Sequence, residues 1–132
     1  MSTLHTRGML ERELEEIRSD ILRMGSQVEN AVERSVNALK NRDAELAQQI
    51  INDDEAINTL RYQIEEKCLE LIATQQPAAS DLRTVIAAMH IATELERMAD
   101  HAEGTANLVK RLASEPLLKP LIDLPRMAET CR

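Results

Sequence analysis

The chain has 132 residues, a formal net charge of -7, 43% hydrophobic residues, and Tyr62 as its only aromatic side chain. Three Gly and four Pro are too few for the many turns of an all-β domain, and a core drawn from Leu, Ile, Val, Met and Ala suits helix-on-helix packing. The acidic balance, without a Lys/Arg cluster, excludes a nucleic-acid-binding face, and no apolar run reaches the roughly 18 residues of a transmembrane helix.

The segment Met1-Ser2-Thr3-Leu4-His5-Thr6-Arg7 lacks the apolar core of a signal peptide, so the expected location is cytoplasmic. A first helix is predicted from the seam Leu10, Leu14, Ile17, Ile21, Met24, Val28, Ala31, Ser35 and Ala38, which alternates spacings of four and three. Asn41-Arg42-Asp43 interrupts it, and Asp43 is placed to cap the next helix.

The second helix is predicted over about 44–73, with the seam Leu46, Ile50, Asp53, Ile57, Leu60, Ile64 and Leu71. Asp53 puts an acid at an apolar position, and Asp54 follows it. Thr74-Gln75-Gln76-Pro77 forms a turn, with Pro77 suited to the first turn of a new helix. The third helix is predicted over about 78–112. Its stripe is Ala88, Ile91, Leu95, Met98, Ala102, Val109 and Leu112, widened by Val85, Ala92 and Ala99.

Ser114-Glu115-Pro116 ends that helix. The tail beyond holds Pro120, Pro125 and the apolar residues Leu117, Leu118, Leu121, Ile122, Leu124 and Met127. So much apolar surface in a short tail calls for a partner, either more of a longer protein or a second copy. Two short connections between long helices make antiparallel neighbours. The expected fold is all-α: an antiparallel, up-down-up, spectrin-like three-helix bundle over 1–114. A tail over 115–132 carries the start of a fourth helix or an extended segment.

Glu96, Asp100 and Glu103 fall four and three residues apart and share one helix face. Three carboxylates on one stripe repel each other, so they either face water or hold a cation. Folding the chain about Gln76–Pro77 brings Asp54 level with Asp100 and Asn58 level with Glu96. Folding about Asn41–Arg42 brings Glu29 to the height of Asp54. Oxygens from three helices then converge at one level, a donor set for Mg²⁺, Mn²⁺ or Ca²⁺ that iron and zinc also accept. The competing reading is a solvated acidic face, partly neutralised by Arg61 and Arg97, in a helical module that binds no metal and oligomerises through its tail.

No catalytic constellation is evident. The residues three before His90 and His101 are Ala87 and Met98, so the Glu-x-x-His pair of a ferritin-like di-iron enzyme is missing. There is no nucleophile–base arrangement and no Gly-rich phosphate loop. The expectation is a binding protein and not an enzyme. Cys68 and Cys131 read as free thiols, Cys68 half-buried on a helix.

Glu94-Leu95-Glu96-Arg97-Met98-Ala99-Asp100-His101-Ala102 resembles the signature of the PhoU family. Gln75-Gln76-Pro77-Ala78-Ala79-Ser80-Asp81-Leu82-Arg83 resembles that family's link into its third helix, and Met24-Gly25-Ser26-Gln27-Val28-Glu29 its first helix. The likeness covers about residues 4 to 112.

The resemblance implies two tandem three-helix bundles, each with Glu/Asp-x-x-x-Asp motifs that hold iron, zinc or other divalent ions. Glu96 and Asp100 match the motif on the third helix, and Asp54 and Asn58 its counterpart on the second. Asn58 stands where an acid is common and Ala99 where Gly is usual, and only one bundle is present. The tail from Leu117 resembles the start of the second half. The chain then reads either as a piece of a longer protein or as a short homologue that dimerises to restore the pair. The resemblance further implies a negative regulator of phosphate uptake and the phosphate-starvation response. Its partners would be the ATPase subunit of a phosphate ABC transporter and a sensor histidine kinase.

Overall fold

Helical periodicity extends through the backbone of the computed structural model, which describes residues 2–114. Three helices, α1 (Ser2–Asn41), α2 (Ala44–Gln75) and α3 (Ala79–Ser114), leave only two short connections between them. Their bounds follow local chemistry. Arg42 takes a left-handed φ of 53° and stops α1. Asp43 then caps α2, its side chain accepting from the Leu46 N–H at 3.0 Å. At the other end Gln76 adopts φ 45°, and Pro77 supplies no N–H to continue the helix. The Leu82 N–H donates to the Ala78 carbonyl at 2.8 Å as α3 begins.

Cross-helix contacts fix the directions. Gln75 donates to Glu13, Lys67 to Asp20 and Arg34 to Asp53, so residue numbers rise along α1 as they fall along α2. Arg61 pairs with Glu96 and Lys110 with Gln48, which sets α3 antiparallel to α2. The bundle is up-down-up, with α1 parallel to α3.

The core is split in two. A long cluster includes Ile17, Met24, Val28, Leu60, Ile64, Leu71 and Val85. A short one beside the α1–α2 connection holds Ala38, Ala47, Ile50, Ala106 and Val109. The buried Ser35 and Asp54 occupy stripe positions between the two. Ser35 satisfies its hydroxyl on the Val32 carbonyl at 2.7 Å.

Three details of the expected stripes change. Asp54, not Asp53, takes the inward position of α2, and the Asp53 side chain is 57% exposed. Both Asp53 and Asp54 lie between Ile50 and Ile57 at helical spacing, so the pattern alone does not choose between them. On α3 the small residues Ala88, Ala92, Ala99, Ala102 and Ala106 turn inward, while Ile91 and Met98 are each 47% exposed. Large side chains from α1 and α2 already fill the centre, so close packing favours alanine over a larger apolar residue there. Cys68 is fully buried rather than half-buried, and burial, helped by the charge of Glu65, pushes its thiol up to about 11. Among the described residues no helix is long and apolar enough to cross a membrane. The expected tail over 115–132, with Cys131, lies outside the described residues.

Candidate functional site

Asp54 sits at the break in the core because the Ile50–Asp54–Ile57 stripe of α2 faces inward. One turn further, the Asn58 side chain donates to Asp54 Oδ2 at 3.2 Å. From α3, the half-buried Glu103 meets Asp54 through a carboxyl–carboxyl hydrogen bond. Burial is the main cause that pushes the Asp54 carboxyl up to about 7. The hydrogen bond to Glu103 and that residue's negative charge add to it, while the Asn58 hydrogen bond opposes them. The Asp54 carboxyl therefore titrates near neutral pH. Asn58 Oδ1 is buried without a hydrogen-bond partner.

Two turns along, Glu96 is taken by Arg61, whose Nε lies 2.5 Å from Glu96 Oε2. Arg61 also sits 3.7 Å from Glu65 and packs over the Tyr62 ring at 5.2 Å. Arg97 pairs instead with Glu94 at 3.3 Å, two residues from Glu96 and off the acidic stripe, so of the two arginines expected to neutralise this face only Arg61 does so.

The expected single level of acids thus divides. Asp54, Asn58 and Glu103 come together; Glu96 is held by an arginine; Asp100 and Glu29 are exposed. The register explains the division. The Arg61–Glu96 and Asp54–Glu103 pairs show that α3 lies about one turn further along α2 than a fold about Gln76–Pro77 places it. Glu103, not Asp100, is opposite Asp54. The Arg34–Asp53 pair likewise moves Glu29 about a turn away from Asp54. Among the described residues no three His, Cys, Asp or Glu side chains form a group able to hold a metal ion. The donors that do converge, two carboxyl groups and an amide oxygen, match a hard, oxygen-seeking cation better than a thiolate- or imidazole-seeking one. His90 and His101 are exposed.

Sequence reasoning missed Asp20, which is buried between Ile17 and Met24 and held by Lys67 at 2.6 Å and Arg23 at 3.6 Å. The available signal was the one that marks Asp54, an acid on an apolar stripe. It also missed a groove of about 400 Å³ between α1 and α2, lined by Ser26, Gln27, Asn30, Arg34 and Asp53. Gln27 Oε1 and Arg34 Nε are buried there without partners.

The PhoU domain model matches residues 21–109, which include every residue of this site. The phosphate-specific transport system accessory protein PhoU homolog of Aquifex aeolicus (strain VF5) is 38% identical over 118 residues, covering 89% of this chain and 53% of that protein. The homolog of Clostridium acetobutylicum is 42% identical over 111 residues, covering 83% and 51%. The phosphate-specific transport system accessory protein PhoU of Escherichia coli (strain K12) is 36% identical over 125 residues, covering 92% and 52%. The chain spans about half the length of the curated relatives it matches. With most of its length matched by the family model and by these relatives, the chain belongs to the PhoU family.

Proposed function

We propose that this chain is an accessory protein of phosphate uptake and a negative regulator of the phosphate-starvation response. It would act by helix-to-helix contact with a phosphate transporter's ATPase subunit and a sensor histidine kinase, on the cytoplasmic side and as a homodimer. The observation that carries this reading is the PhoU-domain match over 21–109, with relatives named for the phosphate-specific transport system. The role is one of binding, not catalysis.

The acidic face adds a metal to this reading. Asp54, Asn58 and Glu103 are the donors already together, with Glu96 and Asp100 on the same face of α3 and Glu29 as an outer carboxylate. A divalent or trivalent ion, whether iron, zinc, magnesium, manganese or calcium, would supply positive charge between helices that otherwise repel. Two changes must accompany its binding. Asp54 gives up its proton, and Arg61 releases Glu96. Affinity should therefore rise with pH through about 7, where Asp54 ionises.

The deciding experiment is binding of the purified chain to the ATPase subunit of its own host's phosphate transporter. A complex supports the reading, and its absence with folded partners removes it. Calorimetric titration with Mn²⁺ at pH 6 and pH 8 tests the metal separately. Tighter binding at the higher pH is expected. A second reading, a helical interaction module with no metal, is favoured by the Arg61–Glu96 pair, since it neutralises Glu96 without a cation. Absence of binding heat at both pH values would select it.

A further inference from the structure

Three buried side-chain atoms among the described residues lack a hydrogen-bond partner: Asn58 Oδ1, Gln27 Oε1 and Arg34 Nε. Asn58 belongs to the Asp54 site between α2 and α3. The other two belong to residues that line the groove of about 400 Å³ between α1 and α2. Leaving a buried polar atom without a partner is costly, so two in one recess need a cause.

The helical repeat builds this groove. Ser26, Asn30 and Arg34 follow one another at four-residue spacing along α1, with Gln27 beside them. Asp53 and Ile57, also four apart, face them from α2. A hydroxyl, two amides, a guanidinium and a carboxylate are thus gathered beside the buried Ile57.

The charges select the ligand. Arg34 Nη2 donates to Asp53 Oδ2 at 2.8 Å, so the cation and the anion that line the groove cancel. An anion gains Arg34 only by displacing Asp53, and a cation gains Asp53 only by displacing Arg34. Neither exchange adds a charge contact. A neutral group with one acceptor and one donor leaves the pair intact. Its carbonyl oxygen accepts from Arg34 Nε–H, and its N–H donates to Gln27 Oε1. A carboxamide carries both. Gln27 and Arg34 are half-buried and line the groove, so a turn of either side chain brings its idle atom to the ligand. The exposed Ser26 and Asn30 offer further hydrogen bonds.

We propose that the α1–α2 groove is a binding site for an uncharged carboxamide, held between Arg34 and Gln27. Its volume lies within the range of small-molecule sites. It admits a free amide or the Asn or Gln side chain of a partner protein. The site is independent of the cation proposed for the α2–α3 side.

Nuclear magnetic resonance on the whole isotope-labelled chain tests this with propionamide, propionate and propionamidinium, probes of one shape and different charge. Propionamide should shift the Arg34 Nε–H and Gln27 side-chain resonances, with a millimolar dissociation constant as expected of so small a ligand. The two charged probes should bind at least about tenfold more weakly. Gln27→Leu should weaken propionamide by about tenfold or more with the helical circular dichroism unchanged, because Arg34 alone then holds it. Arg18→Lys, outside the groove, should leave its affinity as it was. Asp53→Asn should turn the preference to propionate, because it frees the Arg34 charge. A capped Ala-Gln-Ala peptide that binds at least about tenfold more tightly than propionamide supports the site and assigns the amide to a protein partner. Equal affinity supports it and assigns a free small amide. The proposal is overturned if propionamide moves neither resonance in the parent chain, or if propionate binds the parent as tightly. Propionamide affinity undiminished in Gln27→Leu, or an unchanged preference in Asp53→Asn, overturns it too.

Discussion

The long core cluster and the short one bury different kinds of side chain. In the long cluster Met24, Ile64, Leu71 and Val85 are fully enclosed and keep the helices apart by their bulk. In the short cluster three of the five members are alanines, Ala38, Ala47 and Ala106, which let the helices close together beside the tight α1–α2 connection. Where the two regimes meet, the inward stripe positions hold Ser35 and Asp54 instead of apolar residues. The difference shows that the long cluster carries most of the hydrophobic stabilisation. It leaves the junction as the place where a buried acid can be carried at a cost the rest of the fold absorbs.

The sharpest way to break this comparison is to excavate each cluster with the same substitution. Ile64 is 0% exposed and Ile50 is 2% exposed, so the two sites begin equally buried. Ile64→Ala should cost about 3–5 kcal/mol, because its large neighbours cannot collapse into the space. Ile50→Ala should cost nearer 2 kcal/mol, since its mostly small neighbours offer fewer contacts to lose. Urea denaturation of both variants measures the difference. An Ile50→Ala loss equal to that of Ile64→Ala would mean that the short cluster is as well packed as the long one.

The junction itself is tested through pH. The Asp54 carboxyl is raised from 3.8 to about 7 in the folded chain, so on raising the pH the unfolded chain releases this proton first. The group's contribution therefore makes stability fall from about pH 4 to about pH 7, with no further change above. Asp54→Asn removes that fall. The variant should match the parent near pH 4 and exceed it by roughly 1–3 kcal/mol at pH 8, in metal-free buffer. Denaturation midpoints of parent and variant across this range isolate Asp54 from the other acids. A variant less stable than the parent at pH 8 would show that the charged form of Asp54 is favoured by the fold.

Much of this architecture was legible in the amino-acid pattern. The helix limits follow from Asp43 and Pro77, and the α1 seam from Ile17 to Ala38 is buried or half-buried throughout. What was not legible has two physical causes. The first is rotation. Hydrophobicity ranks Ile91 and Met98 above the alanines of α3, but the space left by the other two helices admits only small groups, and no single-helix pattern records that space. The second is register. Folding the sequence about a turn gives heights to within a turn, and one turn is the whole difference between Asp100 and Glu103 as the partner of Asp54. Site residues on α3 three and four apart are therefore resolved only once the helices are packed.

The finest test concerns the two motif acids on α3, which sequence treats as equals. Glu96 has a side chain only 21% exposed and is paired with Arg61, itself 24% exposed, whereas Asp100 is on the exposed surface with no ion pair among the described residues. In metal-free buffer Glu96→Gln should cost about 1 kcal/mol, since it leaves the Arg61 guanidinium with less of its compensation in a half-shielded place. Asp100→Asn should stay within about 0.5 kcal/mol of the parent, as a surface change that breaks no contact. High salt should shrink the Glu96→Gln effect and leave Asp100→Asn where it was. Equal losses from the two substitutions would mean that Asp100 is held by the fold as firmly as Glu96. Its carboxylate would then be a structural group and not one kept free for a cation.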